Sequence, residues 1–346
     1  MKKPLFSICI PNYNYAHYIK QTIDSVLNQN YSDFEIIIAD NASTDNSVNV
    51  INSYNDDRIR LYVNKYNVGF GPNLDKATLN ARGHYIILLS SDDLMKQGAL
   101  LKYSEIINQN LKNKDNLMIM SGCDVINSEN KVIGEKSAMT GDLTHKLKKD
   151  KINFNVKNHI KLNGLYILEA LLSGKFQPGG QFLTTCFSKK LYDEVEGYNS
   201  IMSIWPDANF SHKILFQNPD VIYINQSLFA YRVHSEGNLS ATLNFNNIKH
   251  LIDGYLLTFT YSEKELEKIG KTKKELQQTF VNKSCLNGLF YKIFKGDFQS
   301  VSRTIFFLLS AFPNLLISNI KFYLLVLLIP LCPFFKFTYN LYKFLK

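Results

Sequence analysis

ARGHYIILLSSDDL, residues 81–94, is the stretch of the sequence that decides the fold. Residues 85–89 form a continuous apolar run, which leads directly into the serines and aspartates of residues 90–93. An uninterrupted run of this length, bounded by polar residues, is typical of a strand buried on both faces of a parallel sheet. The stretch therefore predicts a buried strand with two carboxylates, Asp92 and Asp93, at its carboxyl end.

An alternation of apolar strands and amphipathic helices extends over the first 125 residues. Further strands are predicted at residues 6–10, 36–38, 61–63 and 117–120, and helices around residues 19–27, 48–54, 74–81 and 100–107. Strands that alternate with helices form a mostly parallel sheet, which binds ligands beyond the carboxyl ends of its strands. The pattern predicts an α/β, Rossmann-like fold with a mostly parallel central sheet flanked by helices.

The composition supports a folded protein and excludes several other classes. Of the 346 residues, 45% are hydrophobic and 20% are charged, so the chain is not disordered, collagen-like or a small disulfide scaffold. The formal charge of +9 favours anionic partners. The five cysteines are scattered without CxxC spacing, which predicts free thiols in the core.

Asp92 and Asp93 form the first candidate site. Two adjacent carboxylates at the mouth of a buried strand repel each other, and a divalent cation relieves that repulsion. Oxygen ligands favour Mg²⁺ or Mn²⁺, which commonly take substrate phosphates as further ligands. The alternative is a pair of solvated aspartates that cap a helix.

Three other turns follow predicted strands and carry polar side chains. Residues 11–14, PNYN, form a tight turn in which a nucleobase or ribose can stack on Tyr13. Asp40 follows the second strand and can accept a hydrogen bond from a ligand N–H, or it is a turn carboxylate. Residues 67–73, NVGFGPN, form a glycine-rich turn before a helix, where backbone amides suit a phosphate.

Four segments, taken together, resemble the family-2 glycosyltransferases with a GT-A fold. They are SICIPNYN, IIIADNASTDNS, NVGFGPNLDKA and ARGHYIILLSSDDL, in the order and at the spacing of the family. The resemblance covers residues 5–125 closely and residues 163–240 more loosely. Ser90 is a departure, because the first position of the family's DXD motif usually holds aspartate.

The resemblance implies a role for each turn. Pro11 and Tyr13 would line a nucleobase pocket, and Asp40 would bind the edge of the base. Asp92 would touch a Mg²⁺ or Mn²⁺ ion, with Asp93 beside it as a second ligand. The residues predicted to bind the nucleotide sugar are Pro11, Asn12, Tyr13, Asp40, Asn73, Arg82, Ser91 and Asp92.

Arg82 has two interpretations, because it precedes the predicted strand at residues 85–89, which leads into the acidic turn at residues 90–93. It steadies the acidic turn, or it lies at a helix C-terminus as a partner of the helix dipole.

The second half of the predicted domain carries the candidate base and acceptor contacts. In WPDANF, residues 205–210, Asp207 stands where the family places its catalytic base; the alternative is an ordinary aspartate at a helix N-terminus. Trp205 would stack on an acceptor sugar or lie in the core, and Gln181 would contact the acceptor. His234, in the segment YRVH, would approach the diphosphate or metal, or it is structural.

The predicted domains are a GT-A domain at residues 1–240 and a helical extension at residues 241–346. Within the first, a nucleotide-sugar half covers residues 1–125 and an acceptor half covers residues 163–240. The polar, lysine-rich residues 127–162 predict a surface insertion or a lid that binds the acceptor.

The end of the chain predicts a membrane-associating tail over about residues 303–346. Residues 322–335, FYLLVLLIPLCPFF, carry no charge, and Lys321, Lys336, Lys343 and Lys346 flank or follow them. An apolar helix rimmed by lysine suits an anionic membrane surface. The alternatives are a helix packed on the protein or a partner, and a true span over residues 315–335.

These features predict an inverting glycosyltransferase that moves a sugar from a nucleotide-diphosphate sugar, expected to be a UDP-sugar, to a glycan or lipid-linked glycan. We expect no nucleic-acid partner. The expected location is the cytoplasmic face of a bacterial inner membrane, where the protein is peripheral or monotopic and works in surface polysaccharide synthesis. The alternatives are a nucleotidyltransferase and a non-catalytic, membrane-bound subunit that binds sugar nucleotides.

Overall fold

The structure is a computed structural model that describes residues 3–136, 159–174, 184–198, 206–234 and 248–336. Most of the chain before residue 238 forms one compact unit, and most of the chain after residue 239 forms a second. The two units are described separately below.

The described residues of the first unit contain one ten-stranded sheet. The strands are β1 (Phe6–Asn12), β2 (Phe34–Asp40), β3 (Ile59–Val63), β4 (Tyr85–Leu88), β5 (Leu94–Met95), β6 (Leu117–Ile126), β7 (Val132–Lys136), β8 (His159–Asn163), β9 (Thr185–Ser188) and β10 (Asp220–Arg232). Their order is β3-β2-β1-β4-β9-β6-β10-β5, with β7 paired to β6 and β8 paired to β10. Strands β3, β2, β1 and β4 are mutually parallel, so their carboxyl ends lie at one edge of the sheet.

Seven described helices belong to this part of the chain. They are α1 (Ala16–Leu27), α2 (Ser47–Asn52), α3 (Phe70–Leu79), α4 (Ala99–Gln109), α5 (Gly164–Leu172), α6 (Lys189–Glu194) and α7 (Pro206–Phe216). Every residue of β1 and β2 is buried, which explains their continuous apolar sequences. The main apolar cluster lies where the sheet packs against α1 and α4.

Gly83 lets β4 approach β1 closely. A Cβ atom at this position would lie 2.7 Å from the backbone nitrogen of Ser7, closer than a side chain tolerates. The Gly83 amide instead donates a 2.8 Å hydrogen bond to the hydroxyl of Ser7. The pairing that carries the acidic turn to the ligand edge therefore depends on the absence of a side chain at this position.

The described residues of the second unit are helical, as expected for the extension. The helices are α8 (Ile248–Thr260), α9 (Glu263–Glu267), α10 (Lys273–Thr279), α11 (Asn287–Phe294), α12 (Phe298–Ala311), α13 (Pro313–Ile317) and α14 (Ile320–Leu328). Ser262 with Glu265, and Thr272 with Glu275, form reciprocal capping boxes that start α9 and α10. A second apolar cluster, which includes Leu286, Leu308 and Leu325, holds these helices together.

Several sequence predictions are confirmed and one needs correction. The mostly parallel sheet flanked by helices is present, and all five cysteines are free and buried. Residues 127–162 are not one continuous insertion, because β7 and the start of β8 at its two ends join the sheet. Residues 137–158, the lysine-rich part, lie outside the described residues.

None of the described helices combines the length and the apolar character that a membrane crossing requires.

Candidate active site

The first turn of the site joins the carboxyl ends of β1 and β2. Asp40 is fully buried, and its Oδ2 accepts hydrogen bonds from Asn12 Nδ2 at 2.7 Å and from Ser43 Oγ at 2.6 Å. Its Oδ1 accepts from the backbone nitrogen of Ser43 at 2.9 Å. These three hydrogen bonds satisfy both oxygens of the buried carboxyl group and fix its orientation. Asp40 thus organises the turn, as the alternative interpretation expected, beside the predicted nucleobase site.

Asparagines lock the neighbouring turn in place. Asn73, at the start of α3, donates from Nδ2 to the carbonyl of Ala39 at 2.8 Å, and its Oδ1 accepts from Asn64 Nδ2 at 2.8 Å. Asn64 also donates to Asn41 Oδ1 at 3.1 Å. The buried amide of Asn73 therefore holds the glycine-rich turn against the end of β2.

Tyr13 is the exposed side chain of the first turn. It is 41% exposed, whereas Pro11 and Asn12 are buried. Asn14, with a φ of +59°, follows it and accepts a 2.8 Å hydrogen bond from the backbone nitrogen of Thr44 through Oδ1. Hydrogen bonds of this kind connect the β1–α1 and β2–α2 loops. The ring of Tyr13 is exposed to solvent where the two loops meet, and a base can stack on it there.

Helix α1 contacts the acidic turn after β4 through the side chain of Thr22. The hydroxyl of Thr22 lies 2.9 Å from the carbonyl oxygen of Ser91 and 2.8 Å from that of Asp93, both of which are hydrogen-bond acceptors. Ser91, Asp92 and Asp93 are all buried. The turn is a fixed structure rather than a solvated pair of helix caps.

Asp92 and Asp93 have different environments. The Oδ1 atom of Asp93 accepts a 2.8 Å hydrogen bond from the backbone nitrogen of Arg232, so this carboxyl group points into the protein. Burial, with the nearby charge of Asp92 as a second cause, raises the pKa of Asp93 well above its ordinary value. This placement does not favour the predicted role of Asp93 as a metal ligand.

His234 contacts the other carboxylate of the pair. Its Nε2 atom lies 3.0 Å from Asp92 Oδ2, and both side chains are at least nine-tenths buried. The imidazole also packs against the rings of Tyr15 and Tyr18, with centroids 5.8 Å and 4.9 Å away. The segment YRVH therefore brings its histidine to the acidic turn, and its contact with a diphosphate or metal stays a prediction.

Asp92 and His234 are the two side chains at this turn that could bind a divalent cation. Within the described ranges, no group of three or more His, Cys, Asp or Glu side chains is arranged as a metal site. Mg²⁺ and Mn²⁺ sites often use only one or two protein ligands and complete their shell with water and phosphate oxygens. The Nδ1 atom of His234 is buried without a hydrogen-bond partner, so the ring is held by packing and by Asp92. A carboxylate beside an imidazole fits such a cation as a partial ligand set.

Arg232 is a residue of the site that the sequence analysis missed. Its side chain is fully buried, and Nε donates to the carbonyl of Asp92 at 2.7 Å. Nη1 donates to Asn130 Oδ1 at 2.6 Å, and the guanidinium lies 4.6 Å from the centre of the Tyr18 ring. The sequence did contain a hint, because Arg232 in YRVH is a charged residue at the end of a largely apolar strand. A local pattern does not show which groups such a residue contacts.

Replacing Arg232 by alanine is expected to lower the free energy of unfolding by about 3–5 kcal/mol, because several buried acceptors lose their donor. Urea unfolding measures the change. Arg58, whose partly exposed side chain pairs with Asp56 at 2.8 Å, is the matched control, and its alanine variant is expected to lose less than about 1 kcal/mol. Equal losses in the two variants would show that Arg232 does not anchor the acidic turn.

Asp207 lies at the start of α7 and lines a small cavity with Leu88, Tyr198 and Ser211. Leu88 is the last residue of β4, so the cavity lies beside the strand that leads to Asp92. Burial raises the pKa of Asp207, and hydrogen bonds from backbone amides at the helix start oppose that rise. A carboxyl group with a raised pKa near a helix N-terminus is suited to exchange a proton.

Two contacts connect α7 with the rest of the site. A Cβ atom placed on Gly71 would lie 3.6 Å from Pro206 Cβ, which puts the start of α7 against the start of α3. The aromatic ring of Tyr198 stacks on Phe210 of α7 with centroids 4.0 Å apart. Asn73 of α3 also contacts the end of β2, so consecutive contacts connect the start of α7, the start of α3 and the turn that contains Asp40.

One predicted residue, Arg82, lies away from this edge. Arg82 has an exposed side chain, and its backbone nitrogen donates to Glu35 Oε1 at 2.6 Å, at the amino end of β4. The length of β4 separates it from the acidic turn, so it does not steady that turn; it follows the C-terminus of α3 instead. Gln181 and Trp205 lie outside the described residues.

Residues 7–171 match the model of glycosyl transferase family 2. These residues belong to that family. The chain is also 31% identical over 246 residues, 70% of this chain and 36% of the relative, to an uncharacterized glycosyltransferase of Rickettsia felis. It is 37% identical over 107 residues, 30% of this chain and 42% of the relative, to the putative teichuronic acid biosynthesis glycosyltransferase TuaG of Bacillus subtilis.

A solved structure shares the fold of the chain. The structure of S. aureus TarS in complex with UDP-GlcNAc superimposes with a TM-score of 0.61, covering 97% of this chain and 91% of that one, at 13% identity. The likeness confirms the GT-A fold. This chain spans little more than a third of the R. felis relative and about two fifths of TuaG.

Proposed function

We propose that the protein is an inverting glycosyltransferase that moves a sugar from a nucleotide-diphosphate sugar, with UDP as the expected nucleotide, to a hydroxyl of a glycan or lipid-linked glycan. The observation that carries the proposal is the position of two carboxylates near the carboxyl end of β4. Asp92 is paired with His234, and Asp207 occupies the start of a helix beside the end of the same strand. The names of the relatives and the UDP-GlcNAc bound to TarS support the same donor class.

Asp207 is the general base in this proposal. Its carboxylate takes the proton of the acceptor hydroxyl as the acceptor oxygen forms a bond to the anomeric carbon. The bond from that carbon to the diphosphate breaks on the opposite face, and the electron pair leaves with the nucleotide diphosphate. One displacement inverts the configuration and requires no covalent intermediate on the protein.

The turns at the ends of β1 and β2 bind the donor. Tyr13 stacks on the nucleobase, supported by Pro11 and by the rigid turn that Asn12 and Asp40 form. Ser91 and Asn73 shape the floor of the site through their backbone and amide contacts. A rigid set of turns reduces the entropy that the site loses when the donor binds.

A Mg²⁺ or Mn²⁺ ion is the cofactor that we propose, held by Asp92 with His234 beside it. When bound, the ion neutralises the charge that develops on the departing diphosphate. His234 contacts the carboxylate of Asp92, and Arg232 holds the backbone carbonyl of the same residue, so both fix the position of Asp92.

The proposed setting is the cytoplasmic face of a bacterial inner membrane, in surface polysaccharide synthesis. The printed name of TuaG, which refers to teichuronic acid biosynthesis, supports this setting, and so does the basic charge of +9.

A panel of nucleotide sugars tests the proposal with two measurements. With Mn²⁺ present, one UDP-sugar is expected to raise the melting temperature, because a ligand that binds only the folded state stabilises it. The same donor is expected to release UDP when a suitable glycan acceptor is added. Release of pyrophosphate would indicate a nucleotidyltransferase, and binding of donors without any UDP release across acceptors would indicate a non-catalytic subunit.

A further inference from the structure

The outward surface of α14 and the turn after it is apolar. Ile320 is 75% exposed and Leu327 is 72% exposed. The members of this apolar face are Ile320, Tyr323, Leu324, Leu327, Leu331 and Phe334, all exposed. The first four follow the spacing of one side of a helix, where neighbouring Cβ atoms are only about 5–6 Å apart. The apolar face is therefore continuous along α14 rather than a scatter of single side chains.

The opposite side of the same helix is packed into the core of the second unit. Phe322 and Leu325 are buried in its apolar cluster, and Cys332 is fully buried as well. One side of α14 therefore packs against its own unit, while the other side is apolar and exposed. A helix that is hydrophobic all round needs an apolar environment on both sides.

The segment that carries the apolar face has only positive charges. Residues 298–336 contain no aspartate or glutamate, and their charged residues are Arg303, Lys321 and Lys336. All three side chains are exposed. A protein partner of mixed surface charge gives no reason for such a bias, whereas the negative surface of an anionic bilayer attracts basic residues.

The length of the apolar face is too short for a membrane crossing. Its residues extend from 320 to 334, which at 1.5 Å per residue is roughly 22 Å, against a hydrocarbon core of about 30 Å. Pro330 and Pro333 also interrupt a regular helix. An orientation parallel to the membrane surface buries the apolar face without requiring the helix to cross.

We propose that the apolar face docks in the plane of an anionic phospholipid bilayer, with Ile320, Leu324 and Leu327 inserted at the boundary between headgroups and acyl chains. Lys321 and Lys336 lie at the level of the phosphates, and Tyr323 is placed as an interfacial aromatic. This inference rests on the second unit alone and does not depend on the chemistry of the donor site.

Vesicle flotation of the full chain tests the docking. The protein is expected to float with vesicles of phosphatidylcholine and phosphatidylglycerol and to bind pure phosphatidylcholine vesicles at least about tenfold more weakly, because the basic residues lose their attraction. The double variant Leu324→Glu/Leu327→Glu is expected to lose at least about tenfold in binding to the anionic vesicles. Both positions are exposed, so the variant should fold, and its circular dichroism and melting temperature check this.

The matched control is Val132→Glu/Ile133→Glu, which places the same charges on two exposed apolar residues of β7 in the first unit. The control is expected to float like the unmodified protein. Equal binding of both double variants, or no flotation of the unmodified protein, would overturn the proposal. A lipid-free dimer that only Leu324→Glu/Leu327→Glu dissociates would also overturn it, because a second copy would then cover the face.

Discussion

Asp207→Asn is expected to slow sugar transfer by about 10²–10⁴-fold while the affinity for the donor remains unchanged. Asparagine keeps the size of the side chain and its contacts with the backbone amides at the start of α7, but it cannot accept a proton. The loss should therefore appear in kcat, and donor affinity, measured by calorimetry or thermal shift, should not move. A transfer assay with the acceptor identified by the nucleotide-sugar panel gives the rate.

The control for Asp207 is Asp193→Asn, which removes an exposed carboxylate that pairs with Lys189 on α6. This variant should retain full activity. Comparable transfer by Asp207→Asn and the unmodified protein would exclude Asp207 as the base.

The pH profile gives a second readout for the same residue. Burial raises the pKa of Asp207, and the base must be ionised to act. Activity should consequently fall as the pH is lowered through a value above about 4, the ordinary carboxylate pKa. The residual activity of Asp207→Asn should lack this acid limb. An unchanged limb in the variant would assign the titration to another group.

Asp92→Ala is expected to abolish the response to Mg²⁺ or Mn²⁺ and to reduce transfer by more than about 10²-fold, because the charge on the leaving diphosphate is no longer compensated. Binding of Mn²⁺ in the presence of UDP, followed by electron paramagnetic resonance, measures the metal site without relying on activity. We expect the Mn²⁺ signal of the unmodified protein to shift on binding and that of Asp92→Ala to remain that of the free ion.

Asp93→Asn provides the matched comparison, because it changes the adjacent residue by a single atom. The Oδ1 of asparagine can still accept the 2.8 Å hydrogen bond from the backbone of Arg232, so the turn should keep its shape. This variant is expected to bind Mn²⁺ like the unmodified protein. Loss of Mn²⁺ binding in Asp93→Asn but not in Asp92→Ala would reverse the assignment of the ligand.

The alternation of strands and helices was predictable because it depends on the spacing of apolar residues that are close together in the sequence. The continuous apolar runs of β1, β2 and β4 belong to strands buried on both faces, and the spacing of Ile19, Ile23 and Val26 belongs to a helix that packs on them. Each of these features depends on residues a few positions apart. The ends of such strands are also where ligands bind, so the positions of Asp40 and Asp92 at the ligand edge could be inferred as well.

The prediction for Arg82 was wrong where it joined this residue to the acidic turn, because closeness in sequence was taken for closeness in space. Nine residues that include an extended strand separate Arg82 from Asp92, so the two lie at opposite ends of β4. The strands at the two ends of residues 127–162 were not predicted, because the local sequence did not mark them as strands. The strand at the start, β7, has four of its five residues exposed, and an exposed edge strand does not show the apolar alternation that marks a half-buried one.

The sequence by itself determined the architecture of the family-2 region and predicted the edge at which ligands bind, since both follow from short-range hydrophobic patterns. Only the tertiary structure decided that Asp92 meets His234 while Asp93 is turned inward to Arg232. Those partners lie about 140 residues away along the chain. Two adjacent aspartates have the same local pattern, and only the packing of β10 against the acidic turn gives the carboxyl group of Asp93 a backbone partner and that of Asp92 an imidazole partner.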